Sequence, residues 1–496
     1  MSSSSRQLHF LLLPLFALPV WAAGGTYKPW QGWFLPVCGL IWVLYFLLPE
    51  STDLLPRKKR IHSLCKDLCF WAGLAFVGFL VIQTLNSGRS LVFDPDVNQW
   101  VYSAPPFPFL PSSVNQAESL EMISWFAPTL TAFVLIRQNW TRFSLRSFLY
   151  LICLNGFLNA LLAFVHVGMN WVLMYNFQRF GRDVYGSFGY PNHGALYFIL
   201  LFAISLGLLL HELFTEPAER EKSCLILSAI WTPVFFVAAN LSTSRAGILG
   251  SWLVLLFTLI SILIISAPRL HPVQRCYVGL TAFLFAGMLF TGLTFVMKDI
   301  HVRELKNATV RLNIYNEIDG RFWQVENTWD IWKDHPLIGV GGWGYKYFAA
   351  MYLPQEEWHL IQGKKGKANV HHDFMQYLTE FGLVGMGLLT AAFVSTLWKA
   401  LRGMFRPPRY EESGWATPLR IAAFAGWGIL IADSMIDIPF RSPAVMMHGI
   451  LLLLMILPHW DFPGIWTPVV DWKRLQPPIS SAKSRIWGVQ AEDISD

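Results

Sequence analysis

The sequence predicts an all-α polytopic membrane protein. Of its 496 residues, 54% are hydrophobic and only 14% are charged, whereas soluble globular proteins carry about 25% charged residues. Apolar runs of roughly 18–25 residues recur along the chain, and each is long enough to cross about 30 Å of hydrocarbon as a helix. The net charge of +6 does not indicate nucleic-acid binding, because the basic residues lie in short segments between these runs.

The apolar runs predict about 12 transmembrane helices. They cover residues 8–24, 31–48, 66–86, 119–136, 147–171, 194–211, 223–241, 247–266, 276–297, 373–398, 417–436 and 442–458. The first run allows a cleaved signal peptide or a retained helix, and we favour the helix because another span follows almost at once. The chain then divides into an N-terminal bundle (1–297), a polar loop (298–372), C-terminal helices (373–458) and a tail (459–496).

The distribution of basic residues predicts the orientation. Lys and Arg concentrate in alternate connections, near residues 57–60, 137–146, 220–222, 269–275 and 399–409. Short loops rich in Lys and Arg stay on the cytoplasmic side, so both termini are predicted to be cytoplasmic. The 298–372 loop then lies on the outer side, together with the segments 87–118, 172–193, 241–247 and 433–441.

Neither the cysteines nor the acidic residues predict a metal site or another cofactor. Most of the six cysteines lie in or beside apolar runs, which favours neither a disulfide framework nor a zinc site. Asp94-Pro95-Asp96 could hold a divalent metal, but the proline restricts the geometry. Asp433 and Asp437 could pair with Arg441 or line a cavity on the outer side.

Arg245 is a candidate ligand of phosphate. It lies between two apolar runs, in Thr243-Ser244-Arg245-Ala246-Gly247. A charge near hydrocarbon is costly unless it pairs or reaches water, which marks it as a functional candidate. A guanidinium also donates two parallel hydrogen bonds to phosphate oxygens. The alternative is a topology anchor, although the orientation rule does not favour a positive charge on the outer side.

Further arginines lie in the segments predicted to be on the outer side. Arg321 opens a segment, 321–332, in which Phe322, Val325 and Trp329 share one helical face. This pattern predicts an amphipathic helix on or near the membrane surface. From that helix Arg321 could reach a lipid phosphate, or it could be a solvated surface charge. Arg311 and Arg182 are weaker candidates for the same role.

Two adjacent histidines lie where the polar loop ends and the next apolar run begins. His371 and His372 precede the predicted helix at 373–398. Imidazole can take a proton from a hydroxyl near neutral pH, and a helix start offers free N–H groups to a phosphate. The alternative is a pair of interfacial histidines with satisfied hydrogen bonds. His193, after Pro191-Asn192, is a third candidate of lower rank.

These motifs resemble one family in their order along residues 180–390. The segment His371–Gly385 is similar to the H-N-x-x-L-Q-x-x-x-E-x-G-x-x-G element of the O-antigen ligase and polymerase superfamily, with His372 at the usual Asn place. That superfamily includes bacterial protein O-oligosaccharyltransferases. Three further matches are Arg321 followed by Pro336-Leu337-Ile338-Gly339-Val340-Gly341, Thr243–Gly247 for T-x-S-R-G/A-G, and Phe188–Asn192 for the P-N element.

The resemblance implies a GT-C-like bundle in a bacterial inner membrane, with one large periplasmic loop. It implies a metal-independent, inverting glycosyltransferase that uses a polyprenyl-diphosphate-linked glycan at the periplasmic face. His371 takes the place of the catalytic histidine, and Arg245 and Arg321 take the places of arginines that hold the diphosphate. The acceptor is a lipid A core in a ligase, a glycan in a polymerase or a protein in an oligosaccharyltransferase. We favour ligase-like or polymerase-like transfer.

Two other classes of function remain open at this point. A transporter of lipid-linked glycans would also have about 12 spans and basic residues in a cavity, but it would tend to carry charges in mid-helix and to show repeat symmetry. A metal-dependent transferase would need Asp94 and Asp96. The candidates cluster at predicted outer helix ends, which favours an enzyme.

Overall fold

The computed structural model describes residues 7–48, 56–95, 99–139, 145–169, 184–214, 221–242, 244–266, 324–352, 369–405 and 416–457. Nearly all regular structure in these ranges is helical, as the sequence predicts. A small antiparallel hairpin joins β1 (Leu91–Asp94) to β2 (Gln99–Tyr102), with Leu91 opposite Tyr102. Of the alternative metal candidate Asp94-Pro95-Asp96, Asp94 ends β1, and Asp96 lies outside the described residues.

The helices are numbered in chain order. The N-terminal part contains α1 (Gln7–Trp21), α2 (Lys28–Gln31), α3 (Phe34–Leu47), α4 (Arg57–Cys65), α5 (Leu68–Leu85), α6 (Gln116–Gln138), α7 (Leu145–Met169), α8 (Pro191–Phe214), α9 (Lys222–Leu241) and α10 (Arg245–Ser266). The remainder contains α11 (324–334), α12 (Tyr345–Phe348), α13 (Asp373–Phe405), α14 (Ala416–Asp433) and α15 (Pro443–Met455). Short 3₁₀ turns occupy Ala23–Gly25, Ala349–Tyr352 and Pro439–Arg441.

The predicted spans agree with these helices wherever they can be compared. Each predicted span except 276–297, which lies outside the described residues, coincides with a helix. Within the described ranges, 8 helical stretches are long and apolar enough to cross a membrane, and α1 and α15 are apolar but shorter. The chain is therefore an all-α polytopic membrane protein. The count of twelve spans, the domain boundaries and the orientation stay predictions.

Helix α8 forms the centre of the bundle. Of its most apolar stretch, 89% is buried inside the protein, and it packs against α9, α10, α14 and α15. Small residues permit close packing: a Cβ on Gly207 would lie 3.0 Å from the Cα of Leu419, and one on Gly426 would lie 2.7 Å from the Cβ of Ala203. Helices in lipid associate through such close contacts because burial of apolar surface supplies little drive there.

Helix α11 corresponds to the predicted amphipathic helix. Trp329 on its outer face is 43% exposed and its ring contacts Trp332, which agrees with an interfacial position. The buried face is more polar than the sequence pattern indicated, since it carries Thr328 as well as Ile331. The hydroxyl of Thr379 donates to the carbonyl of Thr328 at 3.1 Å. This helix is thereby fixed against α13.

Helix α13 is interrupted at Gly382. This residue has φ +63° and ψ −171°, a conformation that only glycine adopts without strain. In a continuous helix the N–H groups of Leu383 and Val384 would donate four residues back. Here they donate instead to the carbonyls of Pro336 and Leu337, at 2.8 Å and 2.9 Å.

The two carbonyls released by this break are also satisfied. The N–H of Val340 donates to Thr379 at 3.0 Å, and the N–H of Gly341 donates to Glu380 at 2.9 Å. The backbone of residues 336–341 therefore replaces the missing turn of hydrogen bonds, as buried backbone groups require. Gly339 is needed for this approach, since a Cβ there would lie 2.5 Å from the backbone of Glu380. The glycine-rich segment 339–344 therefore has a structural role.

We predict that Gly382→Ala destabilises the protein. The added Cβ would lie 2.4 Å from the backbone of Leu337 in a backbone region that costs about 1–3 kcal/mol for a non-glycine residue. Gly387→Ala in the same helix is the matched control, because a Cβ there meets nothing within 4 Å. The melting temperatures of both variants in detergent provide the measurement. Equal melting temperatures would contradict the structural role of the break.

Candidate active site

A cavity of about 500 Å³ lies at the end of the bundle where α6, α8, α13 and α15 begin. We call this end the site end. Its lining includes His371, Tyr190, His193 and Asn369 together with charged and aromatic residues from the loops and helix starts. The volume falls in the range of small-ligand sites, about 300–1,000 Å³. The predicted catalytic histidine thus lies in a cavity of suitable size.

The start of α13 is fixed to the segment 433–441. The N–H of Asp373 donates to the carbonyl of Ser434 at 2.9 Å, and the carboxylate of Asp373 accepts from the N–H of Phe440 at 2.8 Å. Tyr377 donates its hydroxyl to the carbonyl of Phe440 at 2.8 Å. Because these contacts hold the two segments side by side, His371, two residues before α13, meets Asp437 in the middle of the segment.

His371 is held in a strained backbone conformation. Its φ is +55°, which is uncommon for a residue with a side chain. Its Nδ1 lies 3.1 Å from the Oδ1 of Asp437, and 26% of the histidine side chain remains exposed. Nε2 has no hydrogen-bond partner in the described parts of the chain. Backbone strain of this kind often marks a functional residue.

Asp437 is an ionised acceptor. Besides His371, it accepts from Asn192 at 2.7 Å, Tyr190 at 3.1 Å and the N–H of Ile438 at 2.9 Å. Burial raises the pKa of Asp437, but the hydrogen bonds from His371 and Asn192 more than offset this and lower the pKa to about 2. An ionised carboxylate can only accept. Nδ1 of His371 must therefore donate, so Nε2 carries the lone pair whenever the ring is neutral.

The two paired histidines have different environments. His372 does not line the cavity, and its Nδ1 accepts from the N–H of Met375 at 3.4 Å, across the first turn of α13. Burial lowers the pKa of His372. The ring therefore caps the helix, whereas His371 faces the cavity. The sequence could not distinguish them because the answer depends on where α13 begins.

His193 lines the cavity but also has a structural contact. The residue is 6% exposed, and its Nε2 lies 3.0 Å from the carbonyl of Ile438. Its ring also packs edge-on against Tyr190, with centroids 4.8 Å apart. Together with Asn192, it holds the segment 433–441 at the start of α8. The P-N motif was a signal for this contact, although Asn192 itself was not a predicted site residue.

Arg441 pairs with a residue that the sequence did not suggest. We expected it beside Asp433 or Asp437, but its Nη2 lies 2.8 Å and 2.7 Å from the two carboxylate oxygens of Glu380. The side chains are 2% and 0% exposed. The guanidinium also stacks 4.4 Å from the centroid of Trp343. A buried charge needs such a partner, so Glu380 of the family-like motif has a structural role.

Arg245 lies at the same end of the bundle but outside the cavity. It begins α10 and is exposed. Two residues later, Gly247 packs closely on Ala195 of α8, since a Cβ on Gly247 would lie 2.7 Å from that of Ala195. Arg245 is thus on a helix adjoining the one that carries His193. The predicted phosphate ligands Arg182, Arg311 and Arg321 lie outside the described residues.

Part of the chain that forms this site matches a known protein family. Residues 230–390 match the O-antigen ligase family. The resemblance read from the motifs is confirmed for this stretch, which includes Arg245, His371 and Glu380. The match indicates a membrane enzyme of polysaccharide biosynthesis. A comparison with curated proteins finds no match.

The O-antigen ligase segment does not contain the whole site. Asp437 and Arg441 follow it in the chain, and Asn192 precedes it. These residues hold and orient side chains inside the segment, and they were harder to predict because each is far from its partner in sequence. In the described residues, no three His, Cys, Asp or Glu side chains gather into a group that could hold a metal ion. The expectation of a metal-free reaction stays a prediction.

We predict that Glu380→Gln strongly destabilises the helical bundle. The change removes the charge that compensates Arg441, and breaking one partner of a buried pair costs about 3–5 kcal/mol. The matched control is Asp330→Asn, which breaks an exposed pair with Lys333 whose side chains are 56% and 55% exposed. Exposed pairs contribute about 0–1 kcal/mol. Thermal unfolding in detergent compares the two, and similar melting temperatures would contradict the importance of the buried pair.

Proposed function

We propose that the protein transfers a glycan from a polyprenyl-diphosphate carrier to an acceptor hydroxyl at the periplasmic face of a bacterial inner membrane. One observation carries the proposal: His371 lines a cavity with Nε2 free, while Nδ1 contacts the ionised Asp437. An imidazole in this state is a general base. The family match supports the same class of reaction.

The proposed step is a direct displacement. Nε2 of His371 takes the proton of the acceptor hydroxyl as its oxygen attacks the anomeric carbon of the donor sugar. The bond from that carbon to the diphosphate oxygen breaks, and the diphosphate leaves with the electron pair. Attack from the face opposite the leaving group inverts the anomeric centre. Asp437 stabilises the imidazolium that forms and keeps the ring in position.

The negative charge of the leaving diphosphate must be neutralised. Guanidinium groups provide it without a metal, because they stay charged and donate paired hydrogen bonds to phosphate oxygens. Among the described residues, Arg245 at the start of α10 is the candidate for binding the diphosphate. Arg321, Arg311 and Arg182 are proposed to act with it. Their positions at predicted outer helix ends favour an enzyme over a transporter, whose charged residues tend to lie in mid-helix.

An apolar groove can accommodate the prenyl chain of the donor. It has a volume of about 400 Å³ and lies between α6, α13, α14 and α15. Phe374, Tyr377 and Phe440 line it, and Phe440 is three residues from Asp437. The groove thus adjoins the segment that holds His371. This continuity supports a lipid-linked substrate whose head group lies at the site end.

We predict that His371→Ala reduces glycan transfer by about 10²–10⁴-fold, the usual contribution of a general base. His372→Ala is the matched control: it removes a helix cap and should retain most activity. Transfer is measured with the purified protein in nanodiscs, polyprenyl-diphosphate-linked glycan and a panel of acceptors. EDTA is present throughout, because the proposal predicts full activity without free divalent metal. Full activity of folded His371→Ala, or loss of wild-type activity in EDTA, would refute this mechanism.

Arg245→Ala should weaken binding of the donor diphosphate. We expect the KM for the donor to rise by about 10-fold or more, since hydrogen bonds to charged groups contribute about 1.5–3 kcal/mol. Arg245→Lys should recover only part of the loss, because an ammonium cannot donate in a bidentate fork. Steady-state kinetics with varied donor provide the test. An unchanged donor KM in the alanine variant would remove Arg245 from the diphosphate site.

A further inference from the structure

A short apolar turn is exposed on the surface after the hairpin of β1 and β2. It consists of Pro105-Pro106-Phe107-Pro108-Phe109-Leu110-Pro111, and we call it the aromatic turn. Phe109 at its tip is 95% exposed, and Phe107 and Leu110 are exposed beside it. Large apolar side chains that gather on a surface mark a site of contact with a protein or a membrane. The proposed transfer reaction does not use this turn.

One buried side chain fixes the aromatic turn to the end of α5. Asn86, the residue after Leu85, is 3% exposed. Its amide nitrogen donates to the carbonyls of Phe107 at 2.8 Å and Pro111 at 3.2 Å, and its amide oxygen accepts from the N–H of Phe107 at 3.0 Å. The N–H of Leu110 donates to the carbonyl of Phe107 at 3.2 Å and closes the turn. The aromatic turn is therefore held directly beside the last residue of α5.

The length of α5 determines how deep the turn lies in the membrane. The helix ends at the site end, since the hydroxyl of Thr84 lies 2.9 Å from that of Ser119 in the first turn of α6. It has 18 residues, so at about 1.5 Å per residue it is about 27 Å long, slightly less than the roughly 30 Å of hydrocarbon. Its other end follows the charged residues Lys66 and Asp67, which belong outside the hydrocarbon. Leu85 therefore lies no higher than the hydrocarbon edge, and the aromatic turn lies beside it.

Exposed apolar residues connect α5 with the aromatic turn. Leu85 is 73% exposed, and Val81 and Ile82 are exposed one turn earlier in the helix, as expected of a surface that contacts lipid tails. The hydrogen bonds of Asn86 place Phe107 directly after this surface. The lipid-facing side of α5 is thus continuous with the aromatic turn, which favours lipid as the partner of the turn.

The backbone of the aromatic turn is also suited to lipid. Backbone N–H and C=O groups that leave water need partners within the protein. Four of the seven residues 105–111 are proline, which has no N–H. Of the three N–H groups that remain, those of Phe107 and Leu110 already donate within the protein, and Asn86 donates to three carbonyls of the turn. The turn therefore presents apolar side chains with few backbone groups that require water.

The hairpin before the aromatic turn connects it to the cavity of His371. Strand β2 ends at Tyr102, whose ring packs against Phe348 and Tyr347, with centroids 5.4 Å and 6.1 Å apart. Both partners belong to α12, and Lys346 of the same helix lines the cavity. A contact between the aromatic turn and the bilayer therefore affects where the cavity lies relative to the membrane.

We propose that the aromatic turn inserts into the surface of the bilayer at the site end, with Phe107, Phe109 and Leu110 in contact with lipid acyl chains. Its partner is the lipid of the surrounding membrane. The inserted turn anchors the hairpin and α12 beside the end of α5, and it holds the cavity of His371 at the level of the lipid head groups. This anchoring function is independent of the transfer reaction, since it concerns only the position of the site relative to the bilayer.

Site-specific photocrosslinking tests this contact. The full-length protein with Phe109→p-benzoylphenylalanine is purified, reconstituted in nanodiscs of defined phospholipid and illuminated, and mass spectrometry measures the phospholipid adduct on the peptide that contains residue 109. The same amino acid at Leu85 is the positive control for lipid contact. At Gln116, an exposed polar residue that begins α6, it is the matched control for a surface in water. Size-exclusion profiles check the folding of each variant.

We expect the lipid adduct at position 109 to match that at position 85 and to exceed that at position 116 by about 10-fold or more, since burying a phenylalanine side chain away from water favours that state by at least this factor. A lipid adduct at position 109 no greater than that at position 116 would overturn the proposal. Crosslinks from position 109 to another part of this chain or to a second copy, in place of lipid, would overturn it as well, because the turn would then have a protein partner.

Discussion

The site depends on one buried ion pair. Glu380 on α13 and Arg441 at the end of the segment 433–441 are almost inaccessible to water, and each carboxylate oxygen lies within 2.8 Å of Arg441 Nη2. Either charge would strongly destabilise the fold if it were buried there without the other. The pair joins the start of α13 to the start of α15. Because Asp437 lies in the joined segment, the contact between Asp437 and His371 depends on this pair as well.

The interrupted helix α13 places Glu380 and fixes the loop that precedes the helix. Residues 336–341 supply the hydrogen bonds that the break at Gly382 removes, and the loop carrying Trp343 is thereby held over the site end. Several residues that match family motifs, among them Gly339, Gly341 and Glu380, therefore have structural roles. Motif matches alone do not separate residues that position a site from residues that do its chemistry.

The charged candidates at the site end lie in two places. In the described residues, the cavity beside His371 is lined by Lys346, which pairs with Glu118, and by Arg441, which pairs with Glu380. Arg245 lies outside the cavity at the start of α10, where an exposed guanidinium suits a diphosphate. His371 and Trp343 both line the cavity and have φ of +55° and +59°, a strained conformation that is often found at functional sites.

The sequence by itself determined the fold class, because long apolar runs can be accommodated only as membrane-spanning helices. It also made Arg245, His371 and His193 candidates, since charged or titratable side chains at the ends of such runs are conspicuous. It could not select His371 over His372, because the choice depends on where α13 begins and on the backbone conformation before it. Nor could it pair Asp437 with Asn192 or Arg441 with Glu380, which lie 245 and 61 residues apart. Only helix packing decided those partners, because a buried charge pairs with whatever group the fold brings within a few ångströms.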